Sequence, residues 1–375
     1  MITVFLICSG LGNVQRGYES FTQECFEALE RETSTSMEVF LFKGGGESQN
    51  KEFVLPNLPR VSWLALKISK ILGKDSYFIE QFTFALSLLP YIYLKRPHVI
   101  FFSDFSVGTT LWHCRRMTSL PYKLLFCNGA SYGPPFSRTD FVQHPTQVHY
   151  HMALNAGESS SKHFLVPQGI GMSDQLRILS QEERVSLCRA LDLPSDRPII
   201  LSVAAIDKTV KRIDYLISEV AQIPEPRPFL IMLGHQTTES PEIVNMGKQL
   251  LGNENFLIKT VLMSEVAKYY QVADLFVLTS LKEGFGRVFV EAMSYGLPCI
   301  AHDYDVAHFV LKDEGYFGNF KLVGSLASII PQVLAKNDEN SKHRRHQSVY
   351  ERFSWDKLGY GYVDMLNSCS ISNVN

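Results

Sequence analysis

Short, unbroken apolar runs alternate along this chain with stretches in which apolar residues recur every three or four positions. The runs are ITVFLIC, MEVFLF, HVIFFS, KLLFCN and FLVP in the first half, and PIILSVA, FLIMLG, NFLIKTV, LFVLTS and PCIAH in the second. Such runs predict strands buried on both faces. Between them lie helical patterns. YESFTQECFEALERE repeats Phe21, Cys25, Phe26 and Leu29 at helical spacing, and RIDYLISEV, EIVNMGKQL, SEVAKYYQV and RVFVEAMSY follow in the second half. Strands alternating with helices predict parallel α/β sheets. The two series are separated by a polar interval, GMSDQLRILSQEERVSLCRALDLPSDRP, which puts a domain boundary near residues 172 to 196. The expected organisation is an N-terminal domain 1–172, a C-terminal domain 173–352, and a final helix 353–375 with an aromatic face, FSWDKLGYGYVDMLN. Two doubly wound domains would face each other across a cleft at the carboxyl ends of their sheets, where ligands of open α/β sheets bind. The terminal SISNVN is expected to fray.

Composition narrows the class. The 375 residues are 45% hydrophobic and 20% charged, the profile of a folded globular chain. A net charge of −2 argues against a general nucleic-acid-coating surface. The seven cysteines form no CxxC pair, and several fall in apolar runs. They read as buried small hydrophobes in a reducing, cytoplasmic compartment. MITVFLICSG lacks a basic leader and reads as a strand. No stretch reaches the ~18 consecutive apolar residues of a membrane helix; FALSLLPYIYLK is too short and contains Pro90.

The candidate chemistry lies in the loops that follow strands, above all KEGFGRV at residues 282–288. Gly284 and Gly286 permit close backbone approach, and a helix beginning near Arg287 offers unsatisfied N–H groups and a positive dipole end. That combination suits a phosphate. Glu283 on the turn and Glu291 inside the helix are acceptors, suited to hydroxyl groups on either side of the anion. Sugar, diphosphate and ribose in series describe a nucleotide sugar. The plainer alternative makes Glu283 a residue favoured near a helix start by the dipole, worth ~0.3–1 kcal/mol, and Glu291 a surface position.

EGFGRVFVEAMSYGLP resembles the E-x7-E signature of the family-4 retaining glycosyltransferases, which have the GT-B fold of two Rossmann-like domains. The resemblance extends over YYQVADLFVLTSLKEGFGRVFVEAMSYGLPCIAHD, LVPQGI and FSWDKLGYGYVDML, with SGLGNVQRGYESF in the place of the glycine-rich first loop. Residues 160 to 365 match well and the N-terminal half more loosely. The resemblance implies roles. Glu283 would hold hydroxyls of the donor sugar in a pocket shaped by Gly284, Phe285, Gly286 and Arg287. The N–H groups of Arg287 and Val288 would meet the distal phosphate, Glu291 the ribose, and Lys211 the diphosphate. Ala205 stands where the family usually carries an arginine, leaving Lys208 or Arg212 to replace it. Asn128 stands where many relatives carry a histidine. An asparagine can hydrogen-bond the transferring sugar but cannot act as a general base.

Gly10 and Gly12 follow a strand, but Gly17 is misplaced for a dinucleotide fingerprint, and no acidic residue closes the second strand. The loop reads either as backbone approaching the transferring group through Gly12, with Arg16 near a phosphate, or as a turn needing glycine for geometry alone. His144, His149 and His151 lack clustered cysteines or carboxylates and read as ordinary histidines; no metal site is expected. YFIEQFTFALSLLPYIYLKR reads as a core-covering helix. In relatives with lipid-linked acceptors, patches like its Lys95–Arg96 end imply peripheral contact with the inner membrane face.

The expected activity is metal-independent, retaining transfer of a sugar from a nucleoside diphosphate donor to a glycan, lipid-linked or small-molecule hydroxyl. No cofactor beyond the donor substrate is expected, and no nucleic-acid partner. The nucleobase, sugar, acceptor and oligomeric state are left open. The alternatives are a non-catalytic nucleotide-sugar-binding subunit on the same fold, and a phosphorylase or epimerase that would release sugar phosphate or free sugar.

Overall fold

In the computed structural model, which describes residues 1–14, 16–32, 37–336 and 338–371, the chain forms two compact units. One comprises Met1–Gly171 and the segment from Phe353 onward; the other is Met172–Arg352. The first holds β1 (Ile2–Cys8), β2 (Met37–Lys43), β3 (Glu52–Val54), β4 (Val99–Phe102), β5 (Lys123–Cys127), β6 (Phe141–His144) and β7 (His163–Leu165). They form a parallel sheet in the order β3-β2-β1-β4-β5-β6-β7. The central strand β1 runs in register with β2 from Ile2 opposite Met37 to Cys8 opposite Lys43.

Alternation along β1 sorts its side chains onto two buried faces. Val4 and Leu6 pack with Phe21, Cys25 and Leu29 of α1 (Gly17–Glu32). Phe5 and Ile7 pack on the other face with Phe84 and Leu88 of a long helix, Ser76–Lys95. The aromatic stretch read as a covering helix is that second one. β3 and β6 are absent from the apolar runs because they are short and carry Glu52, Gln143 and His144, each buried with a polar partner. Trp355 and Tyr362, on the last helix Trp355–Ile371, join the α1 face; Trp355 stacks on Phe21 at 5.9 Å and its indole N–H donates to Glu24 at 3.2 Å. Of the terminal residues read as frayed, Ser370 and Ile371 are helical and 372–375 lie outside the described residues.

The second unit holds β8 (Ile199–Val203), β9 (Phe229–Leu233), β10 (Phe256–Lys259), β11 (Leu275–Leu278), β12 (Cys299–His302) and β13 (Gly315–Gly318), parallel in the order β10-β9-β8-β11-β12-β13. Part of the polar interval is a helix, Gln181–Ala190, started by a capping box between Ser180 and Glu183. Its single buried residue, Cys188, explains why no periodic signal marks it. The sheet order reverses direction between β8 and β11: from β8 the chain proceeds outward to β9 and β10, and from β11 to β12 and β13. Such a reversal splays the loops after the two strands apart and opens a crevice at their carboxyl ends.

All seven cysteines are free thiols, and six are buried. Among the described residues no helix is long and apolar enough to cross a membrane.

Candidate functional site

At this switch point of the second unit, two loops far apart in sequence are tied together. The loop after β8 carries Asp207, Lys208, Lys211 and Arg212. Asp207 Oδ1 accepts the backbone N–H groups of Val210 at 2.8 Å and Lys211 at 2.7 Å, which curls the loop back. The loop after β11 begins with Thr279, fully buried, whose hydroxyl donates to the carbonyls of Lys211 at 2.7 Å and Arg212 at 3.1 Å. Thus fixed, the Lys211 ammonium donates to Glu283 Oε1 at 2.6 Å. The pair is part-buried, so each charge is largely neutralised by the other rather than by water.

The second loop ends at Gly286, which has φ 78° and ψ 48° and caps helix Arg287–Ser294 with no side-chain hydrogen bond. A β-carbon at Gly286 would strain the backbone and lie 2.8 Å from the Phe289 ring. Gly284 is half-buried, whereas Phe285 is 3% exposed and acts as an anchor of the loop. Beyond Gly286, Val288 is half-buried and the Arg287 side chain folds along the helix, its Nε donating to Glu291 Oε1 at 3.2 Å. Glu291 Oε2 accepts the Tyr270 hydroxyl at 3.1 Å, and Tyr270 stacks on Tyr295 at 5.3 Å. Burial and the Glu291 carboxylate push the Tyr270 phenol well up, so it remains a donor at any ordinary pH. Burial and the Glu283 carboxylate likewise raise the Tyr304 phenol, which is hydrogen-bonded to the Glu283 main chain.

The alternatives for the missing arginine are distributed differently from Lys211. Lys208 pairs with Glu242, and its backbone N–H donates to Glu239 at 2.6 Å. Arg212 adopts the left-handed conformation at φ 53°, donates to the Phe320 carbonyl at 2.8 Å and lies over the Tyr215 ring at 4.6 Å. Its guanidinium braces the sheet edge. Lys211 is therefore the cation that the fold brings to Glu283. Sequence reasoning missed Thr279, Asp207, Tyr270 and Tyr304. Thr279 and Tyr270 lie inside quoted stretches, but only the closed loops give them partners.

In the first unit, Asn128 follows β5 and is fully buried. Its Oδ1 accepts Tyr132 N–H at 2.7 Å and its Nδ2 donates to the Tyr132 carbonyl at 2.9 Å. The amide closes its own loop instead of facing outward. Behind it, His144 Nε2 lies 2.8 Å from His163 Nδ1, and His163 Nε2 lies 3.3 Å from Glu158. Burial, then the neighbouring histidines, lowers His144 to about 3, and burial lowers His163. His149 bonds Thr146 at 2.8 Å and His151 is exposed, so the three histidines of the segment do not converge. Gly12, at φ 87°, is pressed against protein backbone: a β-carbon there would lie 2.2 Å from the Gly45 carbonyl. The glycines at 44–46 thus serve the first loop, and Arg16 is exposed beside it. At the far end of the long helix, the Lys95 ammonium sits 3.8 Å from the Phe40 ring centre.

A parallel sheet in each unit, with a pinned cation–carboxylate pair and an uncapped helix start at one switch point, defines a GT-B-like fold. Residues 187–352 match the family of Glycosyl transferases group 1. The chain is 28% identical over 193 residues to N-acetyl-alpha-D-glucosaminyl L-malate synthase of Bacillus anthracis, covering 48% of each chain. It is 25% identical over 220 residues to Alpha-monoglucosyldiacylglycerol synthase of Streptococcus pneumoniae, covering 56% of this chain and 48% of that one. The chain spans about half the length of these curated relatives. Its fold is similar to that of sucrose-phosphate synthase from Thermosynechococcus elongatus, with a TM-score of 0.79 at 18% identity over 98% of both chains. Anabaena HepE, solved with UDP and glucose, gives 0.75 at 14% identity over 98% of this chain and 100% of that one.

Proposed function

We propose that the protein is a retaining glycosyltransferase that moves a sugar from a nucleoside diphosphate donor to a hydroxyl of a glycan, lipid-linked or small-molecule acceptor. The second unit would hold the donor and the first unit the acceptor. The observation that carries this reading is the 2.6 Å contact between Lys211 and Glu283, pinned beside the start of the Arg287–Ser294 helix. An arriving diphosphate would compete for the Lys211 ammonium and take the first-turn amides of the helix. Glu283, relieved of its cation, would then accept hydroxyls of the donor sugar, and Glu291 those of the ribose. Charge on the departing diphosphate would be met by fixed dipoles and one lysine, so the transfer needs no metal ion. HepE, of the same fold, is a protein solved with UDP and with UDP-glucose, which makes UDP-glucose the first donor to try.

The test incubates the purified chain with UDP-glucose and a panel of hydroxyl acceptors, with and without a chelator. Transfer with retained anomeric configuration, unaffected by the chelator and lost in Glu283→Ala, is expected. A second reading, a non-catalytic nucleotide-sugar-binding subunit, is favoured by Asn128, whose amide is engaged by Tyr132, and by Ala205, with Arg212 turned to Phe320. Tight nucleotide binding without transfer or hydrolysis of any donor would select it.

A further inference from the structure

The first unit carries a helix that neither its core nor the proposed chemistry uses. Trp63–Leu72 begins at Ser62, whose hydroxyl accepts the Ala65 N–H, and ends at Gly73 in the left-handed conformation. Only Ala65 and Ser69 are buried, so the helix rests on the molecule by its two smallest side chains. Its large side chains face water: Trp63 is 72% exposed, Ile71 74% and Leu72 58%, with Val61 at 76% just before it. A helix that served only to cover a sheet would carry these residues on the opposite face.

The polar part of the exposed surface has one sign. Lys67, Lys70 and Lys74 are all exposed, and no acidic residue occurs between Glu52 and Asp75. Lys67 and Lys70 follow Trp63 at i+4 and i+7, while Ile68 and Ile71 follow Leu64 at the same spacings. A basic stripe and an apolar stripe therefore run side by side along the helix. The ammonium of Lys67 lies 5.9 Å from the Trp63 ring and that of Lys74 lies 5.7 Å from Phe78, so lysine stems lie against aromatic surface. Exposed apolar residues continue onto the adjoining helix at Phe82 and Leu86, one and two turns past Phe78.

We propose that Trp63–Leu72 is an in-plane docking helix for an anionic lipid surface. Its tryptophan and aliphatic residues would enter the headgroup–acyl boundary and its lysines would meet lipid phosphates. Charge decides between occupants. A second copy of this face would oppose lysines to lysines, whereas an anionic bilayer matches both stripes at once. The proposal stands on exposure and charge, and does not depend on the glycosyltransferase reading.

The test is co-sedimentation of the full chain with phosphatidylcholine vesicles, with and without phosphatidylglycerol. Binding to the anionic vesicles, weakening with added salt, and a blue shift of tryptophan emission that is lost in Trp63→Phe are expected. Lys67→Glu, Lys70→Glu and Lys74→Glu together should reduce binding by roughly a hundredfold or more. Leu64→Ser with Ile71→Ser should abolish the emission shift. All these positions are exposed, so melting temperature and nucleoside diphosphate affinity measured without vesicles should not change. That second measurement separates failure of docking from failure of the donor site. Equal binding to neutral and anionic vesicles, or vesicle binding unaltered in the lysine variant, overturns the proposal. So does absent vesicle binding together with a concentration-dependent dimer that Trp63→Ser disperses.

Discussion

At the scale of the residue, the informative pair is Lys211 and Glu283. Each is an ordinary charged residue in a loop, and neither has a resolved partner until the loops are closed by Thr279. Two different outcomes should follow from removing each one. Lys211→Ala should weaken nucleoside diphosphate binding by about ten- to a hundredfold, the loss of one charge-assisted hydrogen bond at ~1.5–3 kcal/mol. Titration calorimetry checks this; unchanged affinity would take Lys211 out of the anion site. Glu283→Ala should bind the nucleoside diphosphate at least as tightly, because the lysine is released, yet lose affinity for the complete donor. A parallel loss for both ligands would show that Glu283 acts only by holding Lys211.

His144 offers a residue-scale prediction of a different kind. Burial holds it neutral, at about 3 against an ordinary 6.5. The unfolded chain therefore takes up this proton first as pH falls. Stability from this group is complete above about 6.5 and is lost as pH drops from there toward 3. His163, facing it at 2.8 Å, is lowered too and adds to the same slope. Melting temperature should fall steadily from pH 6.5 to 4, and His144→Asn should flatten that fall. An unchanged slope in the variant would mean that His144 is not the titrating group.

At the scale of the element, the Arg287–Ser294 helix depends on one conformation. Gly286 has φ 78°, and an added methyl would meet Phe289. Gly286→Ala should cost ~1–3 kcal/mol of strain and move the first-turn amides, weakening diphosphate binding more than ring stacking at Tyr270. A variant with wild-type melting temperature and affinity would show that the turn relaxes freely. This helix was legible in the sequence because its apolar residues are periodic and its ends are marked by Gly286 and Gly296. Residues 181–190 and 63–72 were not legible as helices. The first buries a single side chain, and the second carries its apolar residues on the solvent side, so neither shows the expected one-faced core pattern. The short strands β3, β6 and β13 escaped for the complementary reason: neighbours in the sheet hold them, not apolar runs of their own.

At the scale of the whole molecule, the chain does not divide simply into first and second halves. Its final helix completes the core of the first unit, where Trp355 is 3% exposed between Phe21 and Tyr362. Tyr362 in turn donates to the Pro167 carbonyl at 2.8 Å and accepts from Gln143 at 3.0 Å. Trp355→Ala should destabilise the first unit by ~3–5 kcal/mol. Its denaturation midpoint should drop while nucleoside diphosphate affinity at native conditions is kept. Loss of nucleotide binding without a drop in stability would contradict the placement of this residue in the first unit's core.

By itself the sequence determined the two parallel α/β series and the glycine turn that precedes the Arg287–Ser294 helix. Both rest on local chemistry: uninterrupted apolar strands can be satisfied only by burial on two faces, and Gly284, Gly286 and the following helix lie within one short segment. Tertiary structure alone decided which cation meets Glu283, that Arg212 and Lys208 are engaged elsewhere, and that Asn128 closes its own loop. The choices among the cations depend on groups between 31 and 108 positions apart being brought within hydrogen-bond distance, as Lys208 with Glu239 and Arg212 with Phe320 show, whereas Asn128 meets Tyr132 only because the turn after β5 folds back on itself. Spacing along a chain carries no information about such distances until the strands are ordered and the switch point between β8 and β11 is formed.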